Sequence, residues 1–260
     1  MPKAKNPSLE PSLIFLIVVS LFGLALSVIF VITSVGTLPD GFGLRKPLVG
    51  LVFGALCVLG IFASIYPSSC SRVFDYEKSM QHQVETEKLQ GIDLQGHHPT
   101  CRKYSAHILR VNDRVFCATC TGFSVGAIIA LIGVGLFFFG PFSFGTRPYI
   151  ALIIGALSVS IGLLHSILPG FRVGFSRFIA SVFFAAGSFL ILASVEDALS
   201  NTSIDFFFVL LSVLWLVTDT TLSRWDHRRI CSKCVSQSCS AKLGWGRSRT
   251  IHLVDPSRNQ

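Results

Sequence analysis

The sequence predicts an all-α polytopic membrane protein of about six transmembrane helices with one small extramembrane β-hairpin module. Three observations predict it. The 260 residues are 51% hydrophobic and only 14% charged, too apolar for an ordinary soluble domain. The apolar residues gather into six long runs bounded by prolines and charges, each long enough for a helix across a bilayer core. Between the second and third runs the composition turns sharply polar, and that stretch carries paired Cys and His residues around a β-rich segment.

The first run, Pro11 to Pro39, follows Lys3 and Lys5. It exceeds the apolar core of a secretory signal and lacks a small-x-small cleavage site, so it reads as a retained anchor. The second, Pro47 to Tyr66, contains Gly and Ala, as helices that pack closely in lipid do, and Pro67 ends it. Asp75 to Gln90 reads as a polar helix. Ala106 to Val111 and Arg114 to Phe116 then read as two strands, with Asn112-Asp113 as the turn. Four further runs follow: Cys120 to Phe139, Tyr149 to Leu168, Phe178 to Val195 and Phe206 to Leu222. Glu196-Asp197 and Asn201-Thr202 read as a short acidic turn, leaving Asp219 as the only interior charge of the sixth run. The expected organisation is two transmembrane helices in 1–66, an extramembrane loop in 67–120, four helices in 121–223 and a Cys-containing tail in 224–260.

A net charge of +8 raises the question of nucleic acid, and the positions of the charges answer it. With six spans the two termini share a side. That side holds Lys3, Lys5, seven basic residues between 67 and 121, Arg172, Arg177 and eight from Arg224 onward; only Arg45, Lys46 and Arg147 fall opposite. The positive-inside rule places the crowded side in the cytosol, so the chain is expected to be a multi-pass cell-membrane protein with both termini cytosolic and the bilayer as its main partner. The basic excess is thereby absorbed by topology, without a nucleic-acid partner.

Six of the eight cysteines then face a reducing compartment, where paired thiols bind metal or do chemistry more often than they form disulfides. Cys57 and Cys70 belong to the second span or its end and read as small buried hydrophobes. His98-Pro-Thr-Cys101 and Cys117-Ala-Thr-Cys120 flank the hairpin, each a ligand pair two residues apart, which is the zinc-ribbon pattern. The expected zinc ligands are His98, Cys101, Cys117 and Cys120, with His97 and His107 as alternative nitrogen donors. A loop this short has little core of its own, so the ion would fold it. Cys231-Ser-Lys-Cys234, with Cys239, is a second candidate metal or thiol site, either joined to Cys117 and Cys120 or independent of them with His227. Cys120 also opens a helix, a setting that serves metal binding and redox chemistry alike.

One more pair lies within the membrane. His165 and Asp219 stand at similar depth, each near the cytosolic end of its span, and ionisable groups in lipid are functional candidates by default.

The segment His97-His-Pro-Thr-Cys101, Tyr104-Ser105 and Phe116-Cys-Ala-Thr-Cys-Thr-Gly122 with Gly126 resembles an uncharacterised prokaryotic family of small multi-span membrane proteins, a domain-of-unknown-function family. The resemblance covers about thirty of the 260 residues; Arg102-Lys103 stand where His-Gln is expected, and Thr119 where Arg is common. It implies a metal-binding cytosolic segment and brings no reaction with it.

Three functions compete. The first is a membrane protein whose cytosolic zinc module is structural or recruits a cytosolic protein, since four protein ligands leave no open position for substrate. The second is a membrane-embedded thiol oxidoreductase or zinc-dependent enzyme, although no nucleophile elbow, His-Glu-x-x-His or nucleotide-binding motif is present. The third is a small-solute or ion transporter, with its pathway at His165 and Asp219.

Overall fold

In lipid a backbone must satisfy its own hydrogen bonds, so long apolar runs fold as helices. The computed structural model describes residues 10–33, 44–65, 94–95, 98–99, 107–111, 114–145, 148–168 and 173–232. Within them lie α1 (Pro11–Thr33), α2 (Arg45–Ile65), α3 (Ala118–Phe138), α4 (Pro148–Leu164), α5 (Gly174–Leu199) and α6 (Thr202–Ser232). Five of these six are long and apolar enough to cross a membrane; α4, at 17 residues, is shorter. The apolar helices fit an integral membrane protein.

α5 is the central helix. Its small residues admit neighbours at close range, and α3 and α4 contribute glycines at the same contacts. A Cβ on Gly126 would stand 2.5 Å from the Val182 carbonyl oxygen, and one on Gly155 would stand 2.9 Å from that of Gly187. Ala127, Ala130, Ala180 and Ala193 are fully buried along the same seams. Close backbone approach of this kind supplies the dispersion contacts that hold helices together where lipid removes the hydrophobic drive. α2 packs outside α3, with Gly50 against Phe138 and Gly60 against Phe123. α1 is tied to α6 by polar contacts: Ser20 Oγ and Thr218 Oγ1 are 2.8 Å apart, and Trp215 Nε1 donates to the Ser20 carbonyl at 3.2 Å.

These contacts make successive helices antiparallel. The starts of α1, α3 and α5 and the ends of α2, α4 and α6 share one face of the bundle, where Leu13, Leu222 and Trp225 form a small apolar cluster of their own. The outward surfaces of α1 and α2 are apolar and exposed, as at Phe15, Phe22, Leu51 and Leu59, which suits contact with acyl chains. At the end of α3, Phe137 and Phe138 pack inward while the next residue, Phe139, is exposed.

Two short sheets precede α3. β1 (Leu94–Gln95) pairs with β2 (His98–Pro99), and β3 (Ile108–Val111) pairs antiparallel with β4 (Arg114–Cys117). Val111 opposite Arg114 leaves a two-residue connection, the register expected for an Asn-Asp hairpin turn. The expected polar helix at Asp75 to Gln90, the turn residues themselves and Cys70, Cys101, Cys234 and Cys239 lie outside the described residues.

Two expectations about the helices need correction. Glu196 and Asp197 are not a turn: α5 runs through them to Leu199, and its αL cap at Ser200 makes the turn instead. Nor is Asp219 the only interior charge of the last span, because α6 starts four residues earlier and ends ten later than the apolar run and so takes in Asp205 and Asp226. Both are buried. Hydropathy ended each run at its first charge, whereas ion pairs allow these helices to continue through theirs.

Candidate functional site

The hairpin leads directly into the apolar helix α3. Cys117 is the last residue of β4 and the N-cap of α3, with extended backbone, and Cys120 is the third residue of the helix. The two thiols stand three residues apart within the first helical turn, a spacing at which two cysteines can hold one ion. Both side chains are partly exposed. Cys117 also pairs across the hairpin with Ile108, the residue after His107. Of the other expected ligands, His98 is placed only as a strand residue of β2, and Cys101 lies outside the described residues. Cys231 falls in the last turn of α6. Among the described residues no group of three or more His, Cys, Asp or Glu side chains is arranged to hold a metal ion.

Beside the thiol pair, on the same face of the bundle, is a cluster that sequence reasoning missed. Arg177 Nη2, in the first turn of α5, donates to Asp226 Oδ2 of α6 at 2.7 Å. His107 Nε2 is 3.5 Å from the same oxygen, and its Nδ1 is 3.4 Å from Arg177 Nη1. All three side chains are buried, so the His107 imidazole, an alternative nitrogen donor by sequence, is directed into the bundle. Burying charges costs several kcal/mol each, roughly, unless each is closely paired, which is the arrangement found.

Deeper on that face, His165 Nδ1 and Asp219 Oδ1 are 4.0 Å apart, with only 1% and 10% of their side chains exposed. His165 Nδ1 also meets the Gly162 carbonyl, and Ser166 Oγ is 3.3 Å from its Nε2. α4 ends just before His165, whose Nδ1 faces both the Gly162 carbonyl of that helix and Asp219 of α6. The structure thus brings together the two ionisable residues that the sequence places at similar depth in separate spans.

A third polar cluster closes the opposite face. Arg45, opening α2, donates to Glu196 Oε1 of α5 at 2.7 Å and stands 3.7 Å from Asp205 Oδ2 of α6. Next to it the Phe144 amide donates to Asp197 Oδ2 at 3.0 Å, and Lys46 Nζ lies 4.2 Å from the centroid of the Phe137 ring.

The missed acids do leave a signal in the sequence. Asp205, Ser212, Asp219 and Asp226 recur every seven residues along α6. Such a repeat keeps to one side of a helix, drifting by about 20° per repeat. Comparison of the chain with protein-family models, with curated proteins and with solved structures returned no match.

Proposed function

We propose that the chain is a multi-pass cell-membrane protein whose cytosolic face carries a structural zinc module, held by His98, Cys101, Cys117 and Cys120 and presented to a cytosolic protein. The observation that carries this reading is the placement of Cys117 and Cys120 at the N-cap and third position of α3, where a hairpin enters the bundle. Two thiolates three residues apart at such a junction are a fitting half-set for a tetrahedral ion; the other pair is the one the sequence places at the start of the hairpin. A bound zinc ion would supply cross-linking of the loop rather than catalysis, because four protein ligands leave it no open position. The expected orientation rests on the crowding of Lys and Arg on the thiol-bearing face. The test is zinc content of the detergent-purified chain. Cys101→Ser and Cys117→Ser are each expected to release the metal, and Cys231→Ser to leave it in place. Loss with Cys231→Ser and retention with Cys101→Ser would instead favour a four-cysteine site.

A second reading, proton handling within the membrane by a transporter or enzyme, is favoured by one observation: the buried His165 and Asp219 meet across two helices. A carboxylate facing an imidazole in lipid is an arrangement that can accept and pass on a proton.

A further inference from the structure

The His107, Arg177 and Asp226 cluster is not used by either reading. Its three members come from three elements: the residue before β3, the first turn of α5 and the C-terminal half of α6. Asp226 Oδ2 is the shared acceptor, 2.7 Å from Arg177 Nη2 and 3.5 Å from His107 Nε2. Holding His107 holds its neighbour Ile108, and Ile108 is the cross-strand partner of Cys117. One residue further on, Ala118 is fully buried, and Gly122 abuts the backbone of Phe178, next to Arg177. The thiol pair is therefore fixed from two directions, by the hairpin rung above and by the α3–α5 seam below.

We propose that His107, Arg177 and Asp226 form a clamp that positions Cys117 and Cys120 for their ligand, with Asp226 as the positioning residue acting through the other two. This rests on the metal reading for the identity of the ligand and not for the clamp itself. Groups that orient metal ligands without touching the metal commonly alter affinity by about 10- to 100-fold when replaced. The Arg177–Asp226 hydrogen bond joins α5 to α6 directly, without passing through His107.

The experiment uses the full chain in detergent, with two readouts. Zinc affinity is measured by competition with a chromophoric chelator, and maleimide labelling rates of Cys117, Cys120 and Cys57 are measured on metal-free protein by peptide mass spectrometry. Asp226→Asn and His107→Gln are each expected to weaken zinc binding by about tenfold or more and to change labelling at Cys117 and Cys120. Cys57, buried in α2, should stay protected, and Asp226→Glu should recover part of both effects. His107→Gln leaves the Arg177–Asp226 pair in place, so it decides the matter if Asp226→Asn fails to fold. Unchanged labelling and affinity in His107→Gln, or equal loosening at Cys57, would overturn the clamp. If the parent chain binds no zinc, the metal reading falls while the labelling arm still decides the clamp.

Discussion

Gly122 of α3 lies against the main chain of Phe178 in α5, so closely that a Cβ at Gly122 would collide with the Phe178 carbonyl oxygen. Backbone on one side and a rigid helix on the other leave nothing to move aside. Gly122→Ala should therefore separate α3 from α5 and lower stability by about 1–3 kcal/mol, as overpacking does. Gly135, in the same helix, would meet nothing within 4 Å. Gly135→Ala should be neutral or stabilising by up to about 1 kcal/mol, because it removes backbone freedom at no steric cost. Unfolding in mixed micelles compares the two directly, and equal effects would show that the α3–α5 seam is looser than its geometry requires.

The Arg45–Glu196 pair makes a second prediction. With 10% and 3% of their side chains exposed, the two charges depend on one another. Glu196→Ala leaves Arg45, among the described residues, with the longer contact to Asp205 and should destabilise by about 3–5 kcal/mol. Glu196→Gln keeps an acceptor for Arg45 and should cost less. A double-mutant cycle with Arg45→Met measures the coupling; no coupling would contradict the observed contact.

For His165 and Asp219, a functional pair and a structural pair predict different results. If the two handle protons, His165→Ala and Asp219→Asn should each abolish pH-driven proton flux in proteoliposomes while leaving the yield of folded protein unchanged. If either change mainly reduces folded protein, the pair is structural, and the transporter and enzyme readings lose their intramembrane support. Flux retained in both variants would have the same consequence.

Topology offers a fourth test. An impermeant thiol reagent applied to intact cells should fail to label Cys239, and should label it after permeabilisation, as the positive-inside rule expects. A cysteine introduced at Gly145, in the α3–α4 connection, should behave in the opposite way. Labelling of Cys239 from outside would reverse the orientation and remove the redox argument for metal.

The spans were legible in the sequence because lipid leaves the backbone few choices: every expected run contains or overlaps a helix, from Pro11–Thr33 to Thr202–Ser232. The strands β3 and β4 were legible too, since Ile108–Val111 and Arg114–Cys117 are β-rich segments joined by two turn-forming residues. Charged residues inside helices were not legible by hydropathy. Arg177, Glu196, Asp205 and Asp226 read as loop or tail residues because a window scale prices each charge alone, whereas the bundle buries them in pairs. The ionic partners of His107 were not legible for a related reason. Its place beside the hairpin resembles that of a ligand, and only the fold shows Asp226 and Arg177 waiting at the bundle end. Of the candidate metal site, only the Cys117–Cys120 half falls where its surroundings are described.

The zinc module is tested most directly by X-ray absorption at the zinc edge on the purified chain. The account predicts one zinc per chain with three sulfur neighbours at about 2.3 Å and one nitrogen at about 2.0 Å, from Cys101, Cys117, Cys120 and His98. Four sulfur neighbours would assign the ion to a site shared with Cys231 and Cys234, and purified protein that binds no zinc at all would contradict the account.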